Sequence, residues 1–387
     1  MLKGNHGNKG QRAARGHKKF ALATVAATIL LGTTGAWSQV MAPSMQSPQS
    51  VLGTTSVLSA TPLSLARAIE LAMESNPEVA AATRQVEASE GQVIQGRVRP
   101  NPELAYSLED TRSQTRTQSW QLNLPIELGG KRAARTKAAE KAREQALAQL
   151  ADVRATVRAN VVAAFFDVLT AQERLALAKD SSALAKSSTD AVAKRVAAGK
   201  VSPVEETKAR VAESGIRVEL SQAASEERNA LTRLNALLGR TTAVAGALEG
   251  KADDLPTLPT LMDLQSLVDS SPAVVLAKVE VERRRALTEV ERSKRVPDVT
   301  VSAGVQRANE TQRNVLLLGI SMPLPLFDRN QGNLLEALKL EDKAQDELQA
   351  ITVRLRSEVA QAHDRLSTIA NEVQALQADV LPGSKSA

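Results

Sequence analysis

The 387-residue sequence has a formal net charge of +6 and contains no cysteine. The lack of cysteine excludes disulfides, thiolate nucleophiles, thiolate metal sites and a lipid anchor on an N-terminal cysteine. Aromatic residues make up only 2% of the chain, so its apolar content consists mainly of Ala, Val and Leu. Small apolar residues of this kind suit long helices packed closely side by side. The excess positive charge is concentrated in residues 3–19, with no acid before Glu70. Nothing in this distribution predicts a nucleic-acid partner.

The N-terminal segment predicts export. The basic stretch is followed by a short apolar run, Phe20 to Leu31, and by Ala36-Trp37-Ser38, which fits a small-x-small cleavage pattern. The run is shorter than the roughly 20 residues that span a bilayer, so residues 1–38 are predicted to be a signal peptide. A buried helix of the mature fold is the alternative. Residues 39–60 are rich in Ser, Thr, Pro and Gln and predict a flexible lead-in.

The chain contains an internal duplication of residues 61–250 in residues 251–387. Ser75-Asn76-Pro77 corresponds to Ser270-Ser271-Pro272 at an offset of 195 residues. Two long apolar stripes also share one irregularity, a four-four step at Val157 and, 198 residues later, at Leu355. Heptad spacing alone is common in helical proteins, but a shared irregularity at a fixed offset indicates duplication.

Each repeat is predicted to form a helix, a β-hairpin and a very long helix. In the first repeat these are a helix over about 64–97, a hairpin over 103–127 and a helical hairpin over 131–238. In the second repeat a helix precedes a hairpin over 298–325 and a long helix over 331–381. The helix from about 131 to 198 would be on the order of 100 Å long, enough to reach across an aqueous space.

The strands alternate strictly between apolar and polar residues, which predicts one apolar and one polar face. Ten-residue strands match a tilted crossing of a bilayer, and four strands cannot close a barrel within one chain, so a membrane location requires an oligomer. The alternative is a two-sided sheet covered by helices. The residues predicted to face lipid are Leu104, Tyr106, Leu108, Trp120, Leu122, Leu124, Val299, Val301, Leu316, Leu318 and Ile320.

Several segments resemble the outer-membrane factor (TolC-like) family of efflux channels. They are residues 97–104, 124–132, 195–211 and, most specifically, Met-Pro-Leu-Pro-Leu-Phe-Asp-Arg-Asn-Gln-Gly-Asn-Leu at 322–334. The resemblance covers about residues 60–382 and is closest to the heavy-metal branch, which includes the cobalt-zinc-cadmium and nickel-cobalt-cadmium resistance systems.

This resemblance implies a mostly α fold with a small β part. Each chain would supply four strands, one third of a trimeric twelve-stranded outer-membrane β-barrel, and long helices to a periplasmic α-barrel. The partners implied are a periplasmic adaptor protein, an inner-membrane RND pump and outer-membrane lipid. Carried over to this sequence, the adaptor-binding turn comprises Arg195, Val196, Ala198, Gly199, Lys200, Ser202 and Pro203.

The implied function is export of divalent cations, with nickel, cobalt and cadmium expected first. The alternatives are a drug-efflux channel, a type I protein-secretion channel, or a periplasmic coiled-coil adaptor or scaffold. The second repeat is expected to lack the returning helix that the first repeat has over Val204 to Leu238, since the counterpart of Gly199 would fall beyond residue 387.

The sequence offers no pattern for catalysis, a cofactor or a resident metal. His6 and His17 lie in the predicted signal peptide, and His363 stands alone on a long helix. With no cysteine and no clustered methionine, no soft-metal site is predicted. Acidic pairs such as Glu205-Glu206 are typical of solvated helix surfaces. The protein is therefore predicted not to be an enzyme.

Overall fold

The structure, a computed structural model, describes residues 62–240, 248–250 and 258–380. The predicted signal peptide and lead-in lie outside the described residues. Within them the chain is mostly helical with one four-stranded antiparallel sheet, which confirms the predicted fold class.

The elements follow the same order in both halves of the chain. The first half contains α1 (Leu65–Ser75), α2 (Pro77–Arg97), β1 (Glu103–Glu109), β2 (Thr117–Ile126), α3 (Lys131–Ala197) and α4 (Pro203–Leu237). The second half contains α5 (Leu261–Val268), α6 (Pro272–Ser293), β3 (Val299–Ala308), β4 (Arg313–Ser321) and α7 (Gln331–Ala375), which continues into a π-helical turn, Leu376–Val380.

The prediction of one continuous helix over about 64–97 is wrong, because the helix is broken at Asn76. The side chain of Asn76 accepts hydrogen bonds from the backbone N–H groups of Glu78 at 2.8 Å and Val79 at 3.3 Å. Its amide also donates to the carbonyl of Leu237 at 2.9 Å. Since proline favours the first turn of a helix and asparagine is a strong N-cap, the Asn76-Pro77 pair ends α1 and begins α2.

The second half has the same break between α5 and α6. There Ser271 caps α6, accepting from the N–H of Val274 at 3.4 Å, and Pro272 is the first helical residue. These residues occupy the positions that the duplication aligns with Asn76 and Pro77. Two helices, the second of which begins at a side-chain cap followed by proline, thus replace the single helix expected at the start of each repeat.

The apolar core lies along the long helix α3, which packs against α1, α2 and α4. The apolar stripe predicted on α3 forms the centre of this core. Val157, Val161 and Val168 in the stripe are completely buried, and so is the neighbouring Phe165. Burying side chains of this size contributes roughly 1.5–3 kcal/mol each. The matching stripe on α7 is much more open, and Leu366 and Ile369 are each 45% exposed.

The two repeats join edge to edge in the sheet, whose strand order is β1-β2-β3-β4. The pairing of β2 with β3 spans ten residue pairs, from Thr117 with Ala308 to Ile126 with Val299. Where the sheet meets the helices, the carboxylate of Asp298 accepts from Lys131 Nζ at 2.8 Å and from the N–H of Leu128 at 3.1 Å. These contacts fix the start of α3 against the second repeat.

Candidate functional site

Most of the large apolar side chains of the four strands share one face of the sheet, and Val315 and Leu317 of β4 lie on the other face. Register places Trp120 opposite Tyr106 on β1 and Val305 on β3, and Val305 in turn pairs with Leu316 on β4. The next row on this face, two residues along, is Leu104, Leu122, Ala303 and Leu318. Alternation in each strand therefore combines, across the pairing, into one continuous apolar surface.

This apolar face is the exposed face of the sheet. Leu318 and Ile320 are 76% and 77% exposed, whereas the polar residues Ser119, Gln121 and Asn123 on the opposite face are buried or half-buried. A water-soluble sheet has the reverse arrangement, with apolar residues covered and polar residues solvated. An uncovered apolar face is the arrangement expected on the lipid side of a membrane β-structure.

All eleven residues predicted to face lipid lie in the four strands or at the strand ends. Ten of them have exposed side chains, and the eleventh, Val299 at the end of β3 next to the helices, is half-buried. Other exposed apolar residues in or beside the strands were not in the predicted set, among them Ile126, Val305, Val315 and Phe327. Ile126 and Val305 continue the alternation that was already visible, but Phe327, 91% exposed, follows β4 in an irregular segment where alternation gives no signal.

Tyr106 and Trp120 form an aromatic pair on this face, with ring centroids 4.6 Å apart and planes inclined at 43°. Tyr106 is the only tyrosine of the chain. Tyr106 is the middle residue of β1 and Trp120 is the fourth of the ten residues of β2. Both rings are about half exposed and add to the apolar surface of this face.

Among the described residues, no helix combines the length and the apolar character that a membrane crossing requires.

At the other end of the molecule, α3 and α4 are joined by a tight turn centred on Gly199. The N–H of Lys200 donates to the carbonyl of Arg195 and that of Gly199 to the carbonyl of Val196, both at 2.9 Å. This is a Schellman ending, and its left-handed residue is Gly199, with φ of +69°. Ser202 then caps α4, accepting from the N–H of Val204 at 3.3 Å.

The turn presents uncompensated positive charge. Lys194 and Arg195 in the last turn of α3, and Lys200 beyond it, are exposed and form no ion pair within the described residues. The acidic residues that follow are paired along α4, Glu205 with Lys208 at 2.9 Å and Glu206 with Arg210 at 2.6 Å. The predicted tip residues Arg195, Val196, Ala198, Gly199, Lys200, Ser202 and Pro203 thus come together at one end of the hairpin.

One partly buried charge cluster lies on α6, in the helical region. Glu280 accepts from Arg283 at 2.7 and 2.8 Å and from Arg284 at 2.7 Å. Burial acts to raise the pKa of this carboxyl, but the hydrogen bonds and charges of the two arginines outweigh it and lower the pKa. A glutamate held ionised by two guanidinium groups fixes helix geometry and does not serve as an acid or base near neutral pH.

The described residues hold no group of three or more metal-ligating side chains. His363 stands next to Asp364, 3.9 Å away, on α7. The arrangement as a whole provides surfaces, one apolar and one charged, at opposite ends of a long helical structure.

Comparison with known proteins agrees with this geometry. The family model described as "Outer membrane efflux protein" matches residues 68–240 and 264–381. The chain is 44% identical over 352 residues to the cobalt-zinc-cadmium resistance protein CzcC of Cupriavidus metallidurans, covering 90% of this chain and 84% of that protein. It is 30% identical over 245 residues to the nickel-cobalt-cadmium resistance protein NccC of Alcaligenes xylosoxydans xylosoxydans, covering 63% and 55%.

Among solved structures, that of CusC, described for its folding and transmembrane channel formation, superposes with a TM-score of 0.67 at 19% identity. The match covers 81% of this chain and 78% of CusC, and it shows the shared fold.

The chain belongs to the outer membrane efflux protein family. It is an outer-membrane protein of the channel class and not an enzyme. Channels of this family form trimers and work with an adaptor and an inner-membrane pump.

Proposed function

We propose that this protein is the outer-membrane channel subunit of a tripartite RND-type system that exports divalent heavy-metal cations. The observation that carries the channel assignment is the exposed apolar face of a sheet whose opposite face is polar. In a closed barrel such a sheet would place its apolar side chains in lipid and its polar side chains, among them Gln121 and Asn123, around a water-filled lumen.

The proposal includes a homotrimer. Within one chain, β1 and β4 are the edges of a four-stranded sheet, and an unpaired edge in the apolar layer leaves backbone groups without hydrogen bonds. Pairing of β1 of one copy with β4 of the next satisfies both edges, and three copies supply twelve strands. The same trimer would surround a tunnel with the long helices α3, α4 and α7.

The proposed cargo rests on the relatives. The names of CzcC and NccC share cobalt and cadmium, while zinc appears only for CzcC and nickel only for NccC. Because CzcC is the more similar of the two and matches over most of its length, we place cobalt, zinc and cadmium first and nickel second. This revises the order that the sequence resemblance suggested. The ions would pass as cargo through a wet channel, and the pump would select them.

The decisive experiment is deletion of the gene alone, followed by growth on graded concentrations of cobalt, zinc, cadmium and nickel salts. Sensitivity to the metals, with unchanged tolerance of detergents and dyes, is expected, and a plasmid copy should restore growth. Sensitivity to detergents and dyes alone would favour the drug-efflux alternative. Restored metal tolerance from a copy that never reaches the outer membrane would favour a periplasmic scaffold.

The second part of the proposal concerns the basic turn around Gly199, which we assign as the contact with the periplasmic adaptor. It is the end of the helical hairpin farthest from the sheet, since α3 has 67 residues and extends on the order of 100 Å. Its exposed lysine and arginine side chains favour an acidic or carbonyl-rich partner surface.

A further inference from the structure

A cleft of about 430 Å³ lies where the sheet meets the helices of the first repeat. Its walls come from the α2–β1 connection, the last residues of β2 and the first turn of α3. Two kinds of side chain meet there. Leu124 and Ile126 are the final apolar residues of β2 on the exposed face, and Arg99 and Arg132 lie in the flanking segments.

The charges in this cleft are not balanced. Its single carboxylate, Glu127, is held by Arg135 at 2.6 and 3.2 Å, and Lys131 is held by Asp298 at 2.8 Å. Those two pairs are neutral. Arg99 and Arg132 are both exposed and have no ion pair among the residues that the structure describes. Two guanidinium groups therefore stand uncompensated beside an apolar strand end.

The location of the cleft fixes its level in the membrane. All four strands meet the helices at the same end of the sheet, the end where Leu124 and Ile126 lie, and the two hairpin turns are at the opposite end. With the long helices in the periplasm, the cleft lies where the apolar band ends on the periplasmic side. At this level the phosphates of the inner leaflet follow directly on the acyl chains.

We propose that this cleft binds an anionic phospholipid of the periplasmic leaflet, with its phosphate on Arg99 and Arg132 and an acyl chain along Leu124 and Ile126. The proposal rests on the proposed function, since it requires the apolar face to be in the membrane. Arginine suits the phosphate because its planar donors bind two oxygens at once. A soluble phosphate would leave the side chains of Leu124 and Ile126 uncovered, whereas a phospholipid covers both the two arginines and the two apolar side chains.

The test uses the full-length purified protein, reconstituted in nanodiscs of phosphatidylcholine with a minor fraction of phosphatidylglycerol. Native mass spectrometry after gentle extraction counts the lipids that each trimer retains. The wild type should retain phosphatidylglycerol preferentially. In the Arg99→Gln/Arg132→Gln variant, the preference should fall by roughly 30-fold, because each basic residue near an anionic surface contributes roughly a five- to sixfold factor and the two factors multiply.

Two further variants make the test specific. Arg154→Gln/Arg158→Gln is the matched control, because it removes from α3 two exposed arginines that form no ion pair with any residue the structure describes. They lie roughly 35–40 Å from the start of that helix. It should retain the wild-type preference. Arg99→Lys/Arg132→Lys keeps the charge and should retain part of the preference, which separates lipid binding from a simple loss of folding.

Several results would overturn the inference. Equal phosphatidylglycerol retention by the wild type and the Arg99→Gln/Arg132→Gln variant would show that the arginines bind no lipid. Full competition by inorganic phosphate or glycerol phosphate would indicate a soluble ligand. A lower trimer yield in that variant, with unchanged lipid preference, would place the arginines in a contact between subunits. Failure of the wild type to insert into any bilayer would overturn the proposed function as well, whereas insertion without a lipid preference would overturn this inference only.

Discussion

Gly129 lies so close to Val296 that a Cβ at position 129 would be 2.6 Å from the Cβ of Val296. The two residues belong to different repeats, one just before α3 and the other just before β3. Gly129 also has a φ of +68°, which an L-residue adopts only with strain. The Gly129→Ala variant should therefore lose about 2–5 kcal/mol of stability, the sum of a left-handed backbone penalty and overpacking.

The neighbouring glycine is the matched control for this prediction. Gly130 has a φ of +73°, but an added Cβ there would meet no atom within 4 Å. Gly130→Ala should thus cost only the backbone term, about 1–2 kcal/mol. Thermal unfolding in detergent measures both variants. Equal destabilisation by the two substitutions would show that contact with Val296 contributes nothing.

Adjacent residues on β4 offer a test of which face meets lipid. Leu318 is 76% exposed on the apolar face, and Leu317 points to the polar face, opposite Gly304. Leu318→Arg should oppose membrane insertion by about 2–4 kcal/mol, the cost of an arginine on the lipid face near the middle of the bilayer.

Leu317→Arg introduces the same charge one position away, toward the lumen, where water can solvate it. It should insert and form trimers at near wild-type yield. The measurement is the yield of heat-resistant trimer in isolated outer membranes. Normal trimer from Leu318→Arg combined with none from Leu317→Arg would reverse the assignment of the two faces.

The Glu280 cluster predicts a dependence of stability on pH. Because its arginine partners lower the pKa of this carboxyl in the folded protein, the stabilisation is full above the ordinary glutamate pKa of about 4.3. It is lost as the pH falls from there through the lowered pKa of the folded state. Glu280→Gln should be less stable at neutral pH and should lose less stability on acidification than the wild type.

The exposed carboxylate of Glu74 on α1, which has no ion pair within the described residues, supplies the control. Because no ion pair is lost, Glu74→Gln should leave the free energy of unfolding at neutral pH close to that of the wild type. Denaturant unfolding between pH 7 and pH 3 measures all three proteins. A Glu280→Gln profile parallel to that of the wild type would contradict the proposed role of the arginine pair.

Sequence periodicity predicted the sheet well and the first helices poorly, for physical reasons. Alternation such as Trp120, Leu122 and Leu124 reports directly on one face of a strand, because side chains alternate there with period two. The break at Asn76 depends on the side-chain cap that Asn76 provides to Glu78 and Val79 and on a proline that is tolerated in the first turn of a helix. A further hydrogen bond from the Asn76 amide to the carbonyl of Leu237 in α4 spans 161 residues of sequence. The apolar stripe continues on both sides, so periodicity alone did not reveal the break.

The cleft at Arg99 and Arg132 was not predicted, although both residues lie within segments that carried the family resemblance. Their significance depends on which neighbouring charges are already paired. Glu127 is occupied by Arg135, and Lys131 by Asp298 from the other repeat. Pairing between repeats is a tertiary property, and the sequence spacing of a charge gives no indication of its partner.

The last prediction concerns the turn at Gly199, where the chain's lack of cysteine is an experimental advantage. A thiol introduced by Lys200→Cys is then the only one in the protein, so a cross-link to the adaptor identifies this turn. An added Cβ at Gly199 would meet nothing within 4 Å, but φ is +69°. Gly199→Leu therefore changes the turn through backbone strain of about 1–2 kcal/mol, without disturbing the buried core of α3.

In the Lys200→Cys background, Gly199→Leu should reduce cross-linking to the adaptor and metal resistance severalfold while trimer yield in the outer membrane stays normal. Gly215→Leu is the matched control, since Gly215 lies within α4 with a helical backbone and equally open surroundings. It adds the same side chain without a left-handed strain, so cross-linking should persist. Undiminished cross-linking in the Gly199→Leu protein, or an equal loss in both variants, would show that the geometry of this turn does not direct adaptor binding.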